Sequence, residues 1–403
     1  MNKRQKVVII GHGYTSRLAV IRSVGQIGCE VTVIVMTGQK RFGRGLDTTK
    51  PIDCYSKYVD RYYFCHKKDE KGLVTLLLDK CIDPQQRVVI IPDSDFSAAV
   101  IDNNQERLKE HFLFPHINHT PGAVVEWMDK VKQKELAQKI GLNVASSCVV
   151  KINSYQYTIP ESVKYPCFTK PLATITGGKE LLKRCNNELE LSTVLNRAGC
   201  LADNIQVLIE DYKEIYTEYA VLGFSDGNDV IIPGVIEITQ MSQSHFGVAR
   251  QGKVLLVEGF EQLIKRFQTL LKEIGFIGLF DIDFYKSNDS YYFGELNLRY
   301  GGSGYAITKM GVNLPGIFVK TLTGSEIGDM QVNVQQSATF VNERMCLDDW
   351  YHGYLTISEY NKMIHTVDFR FVYDNDDSGP QIILEHRMPG MKVKKILRKV
   401  RIW

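Results

Sequence analysis

At 403 residues the chain is too long for one simple core and implies two or three lobes. Its 44% hydrophobic and 24% charged content is that of a soluble globular protein, and a net charge of +3 is too small to argue for nucleic acid. Nine cysteines without a C-x-x-C pair fit reduced thiols in a cytosolic protein and give no zinc site.

The opening "MNKRQKVVIIGHGYTSR" has an apolar run too short for a signal peptide, and no later stretch approaches ~18 apolar residues. A cytoplasmic protein without a membrane span is expected. The first lobe alternates buried-type strands (Lys6 to Ile10, Glu30 to Met36, Arg87 to Ile91) with helical stretches (Thr15 to Ile27, Glu70 to Cys81, Ser94 to Ile101). That order predicts an α/β domain built on a Rossmann-like parallel sheet. "GHGYTS" begins like a dinucleotide fingerprint, but its sixth residue is Ser16, and the next strand ends in Met36, Thr37 and Gly38 without the expected acid. Gly11 and Gly13 therefore read as a tight strand-to-helix turn, and NAD is rejected. In "IPDSDFSAAVI", Asp93, Ser94 and Asp95 stand where open sheets gather ligands, with helix capping by Asp93 or Ser94 as the alternative.

A second lobe begins near Thr120. Asp129 reads as the N-cap of a helix reaching Ile140 and stopped by Gly141. "YPCFTKPLATITGGK" is a strand running into a glycine-containing loop, and "VLIEDYKEIYTEYAVLG" is a strand, a break and another strand. "GLFDIDFYKSNDSYYFGELN" reads as a hairpin of Phe280 to Tyr285 and Ser290 to Leu296 around the turn Lys286 to Asp289. Asp281 and Asp283 alternate with apolar residues on its first strand, and Glu295, Asn297 and Arg299 share a face of its second. Two carboxylates and an amide oxygen with no basic neighbour would repel unless a hard cation such as Mg²⁺ lay between them. Ser303 to Gly324 returns to helix.

Taken in order from about Val7 to Gly324, these motifs resemble the ATP-grasp superfamily. The resemblance implies a two-lobed ATP-grasp fold at 120–325, after the α/β domain at 1–119 and before a small C-terminal extension at 326–403. It also implies roles for individual residues. Lys130 and Lys170 would face the phosphates, with Lys170 acting in catalysis together with Arg299. Gly177 and Gly178 would lie in the flap over the nucleotide, whose backbone N–H groups approach phosphate oxygens. Backbone groups around Glu210, Asp211 and Tyr212 would read the adenine edge, and Glu218 would take the ribose hydroxyls. Asp283, Glu295 and Asn297 would hold Mg²⁺, with Mn²⁺ as a substitute, against ATP. The planar fork of Arg299 suits a carboxylate or an acyl phosphate.

The chemistry so implied is ADP-forming activation of a carboxylate, then attack by an amine such as that of an amino acid. Within the superfamily the first lobe and "RYGGSGYAITKMGVNLPGIFVKTLTG" look most like carboligases related to D-aspartate ligase, which suggests cell-envelope synthesis. A carboxylase of the biotin carboxylase or purine-pathway type is the alternative, and a non-catalytic nucleotide-binding scaffold is a third. "EITQMSQSHFGVARQGKVLL" offers His245, Arg250 and Lys253 either to a carboxylate-bearing substrate or to solvent. The C-terminal "KVKKILRKVRIW" places apolar residues at helical spacing beside six basic ones. It reads as a helix packed on the protein, or as one lying on anionic lipid at the inner face of the membrane.

Overall fold

The computed structural model describes residues 4–12, 14–40, 45–153, 156–172, 181–201, 204–245, 247–288 and 290–388. Its contacts divide the chain into one unit of Met1–Val124, Tyr219–Asp281 and Asn297–Trp403, and a second of Val125–Glu218 and Ile282–Leu296. This grouping is discontinuous along the sequence. Long strands carry the chain from one unit into the other.

In the first unit, β1 (Lys6–Gly11), β2 (Glu30–Thr37), β3 (Val59–His66), β4 (Val88–Pro92) and β5 (Phe112–Leu113) form the expected parallel sheet, in the order β3-β2-β1-β4-β5. β1, β2 and β4 are near-continuous Val/Ile runs because helices cover both faces. β3 was not anticipated: "VDRYYFCH" lies at the sheet edge, so its charged residues stay exposed and no apolar run marks it. The helix Tyr14–Gln26 follows β1 and buries two arginines. Arg17 pairs with Asp53 and donates to the Gly11 carbonyl, while Arg22 pairs with Asp377 at 2.8 Å and donates to the carbonyls of Phe371 and Val372 at 2.9 Å each. Ser94 caps the helix Asp95–Asn103 in a reciprocal capping box with Ser97, so the capping role falls to Ser94 and not Asp93.

After β6 (His116–Ile117) come the strands of the second unit: β7 (Ser147–Ile152), β8 (Cys167–Pro171), β9 (Lys183–Cys185) and β10 (Ile205–Asp211). They make an antiparallel sheet in the order β7-β10-β8-β9, and the helix Glu188–Gly199 buries Leu191, Val194, Leu195 and Ala198 in the same core. As expected, Asp129 caps the helix Lys130–Lys139, accepting from the N–H groups of Val131 and Lys132.

The largest sheet contains β11 (Thr217–Asp226), β12 (Val230–Ile231), β13 (Val235–Met241), β14 (Ala249–Leu255), β15 (Phe276–Ser287), β16 (Ser290–Asn297), β17 (Ala338–Val341) and β18 (Phe369–Arg370). Its order is β16-β15-β11-β13-β14-β17-β18, with β12 on β11 and β6 on β15. The predicted hairpin is therefore present as β15 and β16, and β15 is longer than its apolar alternation suggested. The expected helix over Ser303 to Gly324 is two helices, Gly304–Lys309 and Leu314–Leu322, broken at Gly311 with φ 92°. Among the described residues no helix is long and apolar enough to cross a membrane.

Candidate functional site

The second unit gathers three lysines onto two glutamates. On the helix Lys130–Lys139, Lys130 and Lys134 are one turn apart and so share a face. Its buried residues are Ala137 and the polar Lys130, Gln133 and Lys134, and these three must find polar partners. Lys130 pairs with Glu295 and Lys134 with Glu210. Gln133 ties the helix to β16, donating to the Leu296 carbonyl at 2.8 Å and accepting its N–H at 2.9 Å.

Lys170 reaches the same acid from the neighbouring strand. It stands opposite Leu208 in the β8–β10 ladder, so Glu210, two residues on, is its diagonal neighbour on that face. The ion pair is 2.8 Å long. Burial raises the Glu210 carboxyl, but Lys170 and Lys134 outweigh it and hold the group below the usual carboxylate range. Burial works the other way on Lys134, lowering its ammonium despite Glu210. Glu218, half-buried on β11, is pushed up by burial and drawn back in part by Lys170.

Two sequence expectations change here. The Glu210 side chain is an internal counter-ion, and the N–H groups of Asp211 and Tyr212 donate to the carbonyls of Ser146 and Pro166 at 2.9 and 3.2 Å. Those two donors are thus committed within the protein, since β10 is a central strand. The premise that the hairpin acids lack a basic neighbour is also corrected, because Lys130 neutralises Glu295. Asp283 is exposed, and β16 approaches it closely: a Cβ on Gly294 would stand 2.8 Å from the Asp283 carbonyl. Among the described residues no three His, Cys, Asp or Glu side chains form a metal cluster. The expected donors are instead two carboxylates and one amide, all hard oxygens of the kind Mg²⁺ takes. Gly177 and Gly178 lie outside the described residues.

In the first unit, Arg299 donates to Asp95 at 2.7 Å and to the Asn297 amide oxygen at 3.4 Å. Burial lowers its guanidinium, but Asp95, Asp281 and Asp93 more than compensate and raise it. The loop before β14 is tied inward. Arg250 donates to Asp349 at 2.7 Å and to Gln240 at 2.6 Å, Ser242 and Ser244 donate to the same Asp349, and His245 meets Asp348 at 3.0 Å. Arg250 is therefore an interior ion pair, neither a substrate contact nor a solvated charge. Lys253 stands opposite Glu237 in the β13–β14 ladder.

Residues 129–337 match the family described as "Carbamoyl-phosphate synthase L chain, ATP binding domain". The chain belongs to this family. It is thereby a member of the ATP-grasp ligases, and Lys130, Lys134, Lys170, Glu210 and Glu295 all lie in the matched stretch. The carbamoyl phosphate synthase large chain of Clostridium acetobutylicum is 25% identical over 239 residues, covering 56% of this chain and 22% of that protein. The chain spans about a fifth of the length of such curated relatives. Two solved structures share the ATP-grasp fold. An L-amino acid ligase from Bacillus licheniformis has a TM-score of 0.60 at 16% identity, covering 84% of this chain and 80% of that one. The ADP complex of N5-carboxyaminoimidazole synthetase from Staphylococcus aureus has a TM-score of 0.63 at 19% identity, covering 90% and 88%.

Sequence reasoning missed Lys134 and the pairing of Asp95 with Arg299. The signal for Lys134 was present: it stands four residues after Lys130, on the same helix face.

Proposed function

We propose that this ATP-grasp family member is an ADP-forming carboxylate–amine ligase, which activates a carboxylate as an acyl phosphate for attack by an amine. The observation that carries the reading is the set of three lysines held on Glu210 and Glu295 within the family-matched region. Lys130 and Lys170 would turn from these acids to the phosphates of ATP, and Lys134 would keep Glu210 neutralised as they do. Glu218 would accept from the ribose hydroxyls. With the N–H groups of Asp211 and Tyr212 engaged, the adenine edge would be read by other backbone groups of the Glu210–Tyr212 stretch. The covering flap would include Gly177 and Gly178.

Asp283, Glu295 and Asn297 are the residues that would hold Mg²⁺ or Mn²⁺. Such an ion supplies positive charge beside the transferred phosphoryl group when bound. Arg299, oriented by Asp95, would hold the carboxylate or acyl phosphate by its planar fork.

The finer reading is a D-aspartate-ligase-like enzyme of cell-envelope synthesis acting on an amino acid. A screen of D- and L-amino acids and small dicarboxylates for ATP-dependent phosphate and ADP release tests it. AMP and pyrophosphate as products would sink the ligase reading. The fold shared with N5-carboxyaminoimidazole synthetase favours a second reading, an ATP-dependent carboxylase, for which ADP release would depend on bicarbonate. Residues 389–403, the basic C-terminal stretch, lie outside the described residues. Contact of that stretch with an anionic membrane predicts that the full chain, but not one ending at Gly390, floats with anionic vesicles at low salt.

A further inference from the structure

The parallel sheet of the first unit has a switch point that the nucleotide assignment leaves unused. β1 lies between β2 and β4, and open α/β sheets hold ligands in the crevice beyond the C-terminal ends of two such strands. Gly11 ends β1 and Pro92 ends β4. The next residue, Asp93, donates its N–H to the Ile10 carbonyl at 2.7 Å, which sets its side chain against the turn after β1. A Cβ on Gly11 would stand 2.6 Å from an Asp93 carboxylate oxygen.

Asp93 is only 6% exposed, and neither of its carboxylate oxygens makes a hydrogen bond of normal geometry. Ser94, not Asp93, caps the following helix. The nearby cations already have partners: Arg17 is engaged by Asp53 and Arg299 by Asp95. When ionised, Asp93 therefore adds a negative charge that neither Arg17 nor Arg299 is free to offset, an imbalance among the described residues at these strand ends. Both Asp93 oxygens are closed off from solvent, while the neighbouring Asp95 and Arg299 retain 21% and 23% side-chain exposure, so a ligand would approach Asp93 from their side.

A ligand that suits this place brings positive charge and N–H donors together. An anion would deepen the imbalance, a sugar hydroxyl would bring no charge, and a quaternary ammonium would bring no donor. We propose that a primary ammonium binds in the crevice beyond β1 and β4, donating to the Asp93 carboxylate, and that it belongs to the amine substrate. Its identity as a substrate rests on the ligase reading; the site itself does not. Burial pushes the Asp93 carboxyl up to about 7, with Ser16, Arg17 and Arg299 drawing it down and Asp53 raising it. Amine affinity therefore rises as pH increases through that value. His12, held low by burial and by Arg17, Lys67 and Arg299, and Asp95, paired with Arg299, are neighbouring titratable groups.

Titration calorimetry of the full chain, with methylammonium, ethanolamine and D- and L-aspartate as probes and tetramethylammonium as control, tests the site. At least one primary amine should bind the wild type roughly tenfold or more tightly than Asp93→Asn, with tetramethylammonium silent and Mg-ATP binding equal in both proteins. A second arm needs no variant: wild-type affinity for the same amine should fall roughly tenfold from about pH 8 to about pH 6, where the probe stays protonated. The proposal is overturned if no primary amine binds the wild type, if Asp93→Asn binds as tightly, or if the affinity does not vary with pH. Amine binding without any ATP-dependent ADP release would instead count against the ligase reading and leave the site standing.

Discussion

Replacing Asp93 by asparagine should make the protein more stable at alkaline pH and leave it nearly unchanged in acid. The wild-type carboxyl sits at about 7 against 3.8 when free, a shift of roughly 3 units or ~4 kcal/mol at most. The sign follows from the direction. A raised acid is protonated more readily in the folded state, so its contribution is fully present below the free value of 3.8 and is lost as pH climbs through about 7. Asparagine keeps the shape without the ionisation. The stability difference, variant minus wild type, should therefore grow by about 3 kcal/mol between about pH 5 and about pH 8. Urea unfolding of both proteins followed by circular dichroism measures it, since the difference cancels the titration of every other group. A difference that is flat with pH, or a variant less stable than the wild type at pH 8, would refute the assignment of Asp93 as an acid raised by burial.

Glu295→Gln should keep the fold but cut turnover by roughly a hundredfold or more, because it removes formal charge from both Lys130 and the expected metal shell; steady-state ADP release checks this. Lys134→Met should destabilise by about 2 kcal/mol, less than a broken isolated pair because Lys170 still faces Glu210. Glu210 is a lowered acid, so that loss should be seen in urea unfolding near neutral pH and shrink as pH falls below the ordinary glutamate value. Arg22→Met leaves Asp377 buried without its cation and should cost about 3–5 kcal/mol, read as a lower urea midpoint.

What the sequence made legible was local or ordered along the chain. The Val/Ile runs of β1, β2 and β4, the Ser94 and Asp129 caps and the β15–β16 hairpin all rest on local spacing along the chain. Lys130 and Lys170 were singled out from motif order, and both prove to be paired with acids of the second unit. What stayed hidden depends on partners distant in sequence. The counter-ion role of the Glu210 side chain was hidden because nothing near it shows that Lys134, 76 positions earlier, folds onto it. Arg250 read as a substrate contact or a solvated charge because Asp349 stands 99 positions later. β3 was missed for a different reason: an edge strand needs no apolar alternation, so its sequence carries little signal.

The lysine cluster of the second unit behaves like an ion exchanger loaded with its own counter-ions. Three ammoniums facing two carboxylates carry a net charge of only +1, so under the proposed function polyphosphate would enter by swapping places with glutamate. Part of the intrinsic attraction would be cancelled by the pairs that must open, which would hold nucleotide affinity below that of three bare lysines. The ions released on binding are side chains and not dissolved salt. Nucleotide affinity should then vary little with ionic strength, where an open cationic groove would lose it steeply.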